Sequence, residues 1–142
     1  VEIKIATLEH YVRLPEYATD GSAGMDISSA DTGTIYYGMH RIYRTGLMFE
    51  VPPGYELQIR SRSGLAAKHK IFVLNSPGTL DYDYRGELFI VLMNLGDANY
   101  EVTRGDRIAQ AVLAPFIRAS LNHVPELSPT ERGAGGFGST GV

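Results

Sequence analysis

The chain has 142 residues, 44% of them hydrophobic and 20% charged, with 13 Lys and Arg against 16 Asp and Glu. That length and balance fit one soluble domain with a buried core. The net charge of −3 argues against a general nucleic-acid binder, and the lack of cysteine excludes disulfides and thiolate metal sites.

No apolar run approaches the roughly 18 residues of a membrane span. The opening VEIKIATLEHYVRL is charged where a signal peptide would have an apolar core, so the expectation is a soluble, cytoplasmic protein. Glycine (16) and proline (7) recur every few residues and leave little room for long helices. Short alternating runs lie between them.

In AGMDISSA, Asp26 follows Gly24 by two residues, and either anchors a turn or reaches a hydrated metal. GLMFEVPPG ends in a turn signal that joins two strands. In the next run Tyr55, Leu57 and Ile59 alternate with Glu56, Gln58 and Arg60, the period of a half-buried strand. SGLAAKHK, Ser63 to Lys70, is the one good helix-forming stretch, about two turns long. Before it stand Ser61, Arg62, Ser63 and Gly64. Either a serine caps the helix beside a surface arginine, or the free N–H groups and the guanidinium receive a phosphate.

NSPGTLDYDYRGELF has turn signals at Pro77-Gly78 and Arg85-Gly86 around Leu80-Asp81-Tyr82-Asp83-Tyr84. Aspartates are depleted in strands. Two readings stand: a carboxylate that activates water beside an aromatic face, or a hairpin in which Asp83 serves the turn and the tyrosines pack across strands. Leu88 to Met93 is continuously apolar, which suggests a strand buried on both faces or at a subunit interface. In GDRIAQAVL, Gly105-Asp106 reads as a turn, and Gln110 on an apolar strand needs a hydrogen-bond partner.

His10, His40, His69 and His123 are scattered without ligand spacing, and no G-x-S-x-G elbow occurs. The end of the chain, ERGAGGFGSTGV, lacks the lysine of a Walker loop. Its glycines still allow backbone N–H groups to approach phosphate oxygens, while Phe137 suits stacking on a base. The fold expected from these runs is all-β, a sandwich or jelly roll of short strands with one short helix.

Taken in order, AGMDISSA, RSGLAAKH, GTLDYDYRGE, GDRIAQAVL and RGAGGFGSTG resemble the five motifs of the homotrimeric dUTPase family, spanning residues 23 to 141. The resemblance implies a distorted jelly roll of the β-clip type, with residues 1–130 as the domain. It implies a mobile glycine-rich arm, 131–142, that closes a neighbouring subunit's site in a homotrimer. The implied reaction converts dUTP and water to dUMP and pyrophosphate, with Mg2+ chelated by the triphosphate. That would limit uracil in DNA and supply dUMP for dTMP synthesis.

Asp81 matches the family's general base. An ordinary aspartate is ionised at neutral pH, so geometry rather than unusual acidity is its main requirement. Tyr84 matches the ring under the deoxyribose that leaves no room for a 2′-hydroxyl. Asn75, with the backbone around Gly78, Thr79, Leu80 and Phe89, matches the uracil pocket. Arg62, Ser63, Gly64 and Gln110 match phosphate contacts, and Asp26 resembles the aspartate tied to metal-bound waters. In the arm, Phe137 would cover uracil while Arg132, Gly138, Ser139 and Thr140 hold the β- and γ-phosphates.

Three positions depart from the family pattern: Ser61 where proline is common, Met25 where an aromatic is common, and Ala134 where a polar residue is frequent. None removes a reacting group. Rival readings are a deoxycytidine triphosphate deaminase of the same fold, a non-catalytic nucleotide or partner binder, and a purely structural jelly roll. The LDYDY stretch, the arm and Asp81 favour the hydrolase.

Overall fold

The computed structural model describes residues 1–139 and 141. Eleven strands and one helix follow one another: β1 (Lys4–Thr7), β2 (Glu16–Tyr17), β3 (Gly24–Ser28), β4 (Gly33–Ile35), β5 (His40–Glu50), β6 (Tyr55–Arg60), α1 (Ser63–His69), β7 (Ile71–Val73), β8 (Gly78–Leu80), β9 (Glu87–Asn94), β10 (Tyr100–Val102) and β11 (Arg107–Pro115). The strands form a four-stranded sheet β1-β5-β9-β7, a five-stranded sheet β2-β3-β11-β6-β8 and the pair β10-β4. Every pairing is antiparallel. This is the all-β jelly roll with a single short helix that the sequence implies. No helix among the described residues is long and apolar enough to cross a membrane.

Period-two patterning sets the layers. On β6, Leu57 and Ile59 are buried while Gln58 and Arg60 face out. On β9, Leu88, Ile90 and Leu92 point into the core, whereas Phe89, Val91 and Met93 lie on the outer face, with Phe89 48% exposed. The apolar run is therefore covered on one face only within the chain. Tyr43, Leu47 and Phe49 of β5 join these residues against Met25, Ile27, Leu57, Ile59 and Ala111 of the five-stranded sheet in one apolar cluster.

The turn after β5 forms at Pro52-Pro53-Gly54, where Tyr55 N donates to Pro52 O at 3.2 Å. The helix ends one residue earlier than Lys70, which takes a left-handed conformation (φ 56°) and donates to Ala66 O. Its N-cap is Arg62, with no side-chain capping bond. The capping-serine alternative is thus corrected: Ser61 instead accepts the Val73 N–H on its Oγ at 2.9 Å.

Asn94 is the buried polar hinge between layers. Fully enclosed, its Nδ2 donates to Ile35 O and to Ala98 O, each at 2.9 Å, and its Oδ1 accepts from Gly96 N at 2.8 Å. Asn94→Ala would remove the partners of three backbone groups, one of them the buried Ile35 carbonyl, and is expected to cost about 2 kcal/mol of stability. The check is a lower urea midpoint with an unchanged slope.

Candidate functional site

A cavity of about 260 Å³ opens beside the hairpin that follows β8. Ile59, Val73, Asn75, Gly78, Thr79, Leu80, Asp81, Tyr84 and Phe89 all contribute to its wall. Short β8 pairs with β6, placing Gly78 opposite Ile59 and Leu80 opposite Leu57. A Cβ on Gly78 would lie 3.3 Å from both Asn75 Nδ2 and Ile59 Cβ, so glycine lets Asn75 close onto the strand. The two aspartates lie beyond the strand end, in a turn where Tyr84 N donates to Asp81 O at 3.1 Å. Asp81 stands exposed at the rim. Tyr82, the residue between, stacks on Phe116 at a centroid distance of 6.3 Å. The cross-strand tyrosine pairing considered for this hairpin does not form.

A second, more polar hollow of about 380 Å³ is lined by Gly24, Asp26, Arg60, Arg62, Ser63, Gly64, Arg107 and Gln110, among others. The middle of β11 places Gln110 directly between Asp26 on β3 and Arg60 on β6. Gln110 Nε2 donates to Ser61 O at 2.9 Å, which meets the need of a polar residue on an apolar strand. Asp26 is gripped from two sides: Arg62 Nε donates to Oδ1 and Arg107 Nη1 to Oδ2, both at 3.0 Å. Arg62 Nη1 also reaches Arg107 O at 3.1 Å. One carboxylate thus fixes two guanidinium groups beside the start of α1. Three arginines against one aspartate make the hollow suited to an anion with several charged oxygens.

Neither cavity shares a lining residue with the other. Ile59 borders the first and its neighbour Arg60 the second, and successive strand residues point to opposite faces of a sheet. The chain therefore gathers Asn75, Gly78, Thr79, Leu80, Asp81, Tyr84 and Phe89 at one place. It gathers Asp26, Arg62, Ser63, Gly64 and Gln110 at another, across the sheet.

The arm residues join neither group. Regular structure ends at Pro115, and residues 116–139 contain no helix or strand. Arg132 Nε bonds within the arm to Gly135 O at 2.8 Å, and Phe137 is fully exposed with φ 49°. Gly138 takes φ 84°, and Ser139 N donates to Gly136 O. Thr140 lies outside the described residues.

Two arginines escape a reading of the sequence. Arg60 reads as the polar phase of a strand, and Arg107 merely follows the Gly105-Asp106 turn. A register shift between Arg107 and Ala109 turns Arg107 toward Asp26. The only sequence signal for that was its place in GDRIAQ.

Comparison with known proteins agrees with these motifs. The dUTPase family model matches residues 10–141. A deoxyuridine 5′-triphosphate nucleotidohydrolase from Crocosphaera subtropica is 49% identical over 142 residues, covering 100% of both chains. One from Nautilia profundicola is 50% identical over 141 residues, covering 99% of each. The solved structure of Staphylococcus bacteriophage 80alpha dUTPase with dUpNHpp superposes with a TM-score of 0.91 at 28% identity, covering 99% of each chain.

Gly24 keeps the second hollow open for Gln110, because a Cβ there would lie 2.5 Å from Gln110 Oε1. Since the obstacle is the end of a flexible side chain, Gly24→Ala should leave the fold intact and swing the carboxamide off Ser61. Calorimetry is expected to show inorganic pyrophosphate binding weakened about tenfold. The same substitution should add nothing in a Gln110→Ala background.

Proposed function

The chain belongs to the dUTPase family, and from that membership we propose that it hydrolyses dUTP to dUMP and pyrophosphate at a site completed between subunits. The observation that carries the second part is the pair of cavities on opposite faces of one sheet. A snug pocket with a carboxylate at its rim suits a nucleoside, and a hollow with three arginines suits a triphosphate. A single chain offers them back to back. Copies arranged around an axis can present one chain's pocket to another chain's hollow. The outward Phe89, Val91 and Met93 of β9 supply an apolar face for such an assembly, which we read as a homotrimer.

In this reading Asn75, Gly78, Thr79, Leu80 and Phe89 line the uracil pocket, and Tyr84 lies against the deoxyribose. Arg62, Ser63, Gly64 and Gln110 of another subunit take the phosphates, assisted by Arg60 and Arg107. Asp81 accepts a proton from water as its oxygen attacks the α-phosphorus. The bond from that phosphorus to the bridging oxygen breaks, and pyrophosphate departs. Oriented cations offset the charge gathering on the leaving group.

Mg2+ enters as part of the substrate, on the triphosphate oxygens. The chain's own donors do not fit a resident ion. Both Asp26 oxygens are engaged by arginines, and no group of three His, Asp or Glu able to hold a metal occurs among the described residues. Asp26 thus acts here by holding Arg62 and Arg107.

The arm closes over the ligand of a neighbouring subunit. Among the described residues nothing covers Phe137, which fits a stacking partner supplied by bound base. Fixing a loose segment costs about 1 kcal/mol or more per residue, so closure needs the full triphosphate to offset it. Truncation after Thr130 should leave folding and assembly unchanged by light scattering while removing most turnover.

The main test is pyrophosphate release from Mg·dUTP beside dTTP, dCTP and UTP. Hydrolysis of dUTP alone is expected, and equal rates on all four would remove the pocket assignment. Asp81→Asn and Arg62→Ala should each be nearly inactive. Denatured together and renatured, they should regain up to about a quarter of wild-type activity, because random mixing rebuilds that share of intact sites. A mixture no better than its components would place each site within one chain.

A further inference from the structure

Gly86 is a glycine without a backbone reason to be one. Seven glycines of the described chain have positive φ, and Gly86 is not among them. An alanine could adopt its conformation without strain. What excludes a side chain is the ring of Tyr84: a Cβ on Gly86 would overlap the phenol oxygen, lie 2.6 Å from Cζ and 3.1 Å from Cε2. The phenol end of the ring therefore fills the space in which a side chain at residue 86 would stand.

That same end of the ring is also tied down. Tyr84 Oη donates to Glu87 O at 3.0 Å, across three residues. Glu87 is the first residue of β9, and its carboxylate is pinned to the neighbouring strand. Oε1 accepts from Gly46 N at 2.8 Å and Oε2 from Arg44 Nε at 3.2 Å. Arg44 is itself held by Glu9 Oε1 at 2.8 Å. Gly46 sits at a positive φ of 68° in the β5 bulge, where a Cβ would strike Val12. The ring is thus leashed at its tip to a rigid strand, and that tip rests against a residue with no side chain.

We propose that Gly86, together with the Tyr84–Glu87 leash, sets the depth of the sugar pocket and so the preference for a deoxyribose over a ribose. This rests on the proposed dUTP reading, in which the Tyr84 ring forms the wall against the sugar. A wall rejects an extra hydroxyl only if it cannot retreat or tilt. Tyr84 is 46% exposed, so neighbouring side chains do not hold it by enclosure. Its position depends on the bare backbone beneath and the carbonyl at its tip. A methyl at position 86 lifts the ring off that seat and breaks the hydroxyl's hydrogen bond. The sugar then meets a displaced, mobile ring.

The test is the ratio of kcat/KM for dUTP to kcat/KM for UTP in the intact assembled enzyme. In Gly86→Ala this ratio is expected to fall about tenfold or more. In Tyr84→Phe, which keeps the ring and removes the leash, it should fall by less. In a Tyr84→Ala background, where no ring remains to be lifted, Gly86→Ala should leave the ratio unchanged. A role confined to the turn's stability would lower both rates together and leave the ratio alone, and that result would overturn the proposal. So would a further drop in the Tyr84→Ala background. If Gly86→Ala fails to fold by circular dichroism, Tyr84→Phe decides: an unchanged ratio there also overturns it. Failure of the wild type to cleave dUTP would instead strike the underlying reading, so the two failures are distinguishable.

Discussion

The alternation of side chains across the five-stranded sheet is the constraint on which the rest depends. Gln58 and Arg60 face outward from β6, while Leu57 and Ile59 face the core. On β11 Gln110 shares the outward side with Arg60 and Asp26, its direct cross-strand partners. Because this period is two, a residue cannot change face without a bulge or a shift of register. The arginine-lined hollow is therefore built on the outer face, while Ile59 and Leu80 bring the other cavity to the inner one, where β8 meets the start of β9. Nothing in the local chemistry of either cavity calls for a second chain. In the proposed reading that call comes from their being back to back.

The same alternation bears on how assembly and activity are linked. Val91 and Met93 are on the outer face of β9 because Leu88, Ile90 and Leu92 must be inside. Phe89 has the same phase, yet also borders the cavity beside β8. An apolar outer face that begins at the pocket ties the geometry of the site to whatever covers that face. In the trimeric reading, a defect in packing there reaches the pocket through Phe89 before it reaches the core.

Much of this was legible in the sequence wherever the signal is local. The period of Tyr55 to Arg60, the Pro52-Pro53-Gly54 turn and the two-turn helix can each be read from a window of a few residues. The Leu88–Met93 run could not be settled that way, because a fully apolar stretch hides its phase. Only the residues packed on one side reveal it. Ser61 and Ser63 look like helix caps by type, yet Val73 on β7 claims the Ser61 hydroxyl. The role of Arg107 depends on a register shift and on an aspartate 81 positions away. Such contacts have no local trace.

Glycine shows the limit most sharply. In the arm, Gly133 and Gly138 have positive φ, the conformational use that a glycine-rich run advertises. Gly24, Gly78 and Gly86 stand outside that set. Their backbones would accept a side chain, but Gln110, Asn75 and Tyr84 occupy the space it would need. Each of these three neighbours lines one of the two cavities. The site residues are therefore held partly by vacancies, with a missing Cβ under each one. A vacancy of this kind carries no chemical signature of its own. It can be recognised only once the side chain that fills it has been placed, which is why motifs can nominate the side chains of a site from sequence while their seats appear only in the fold.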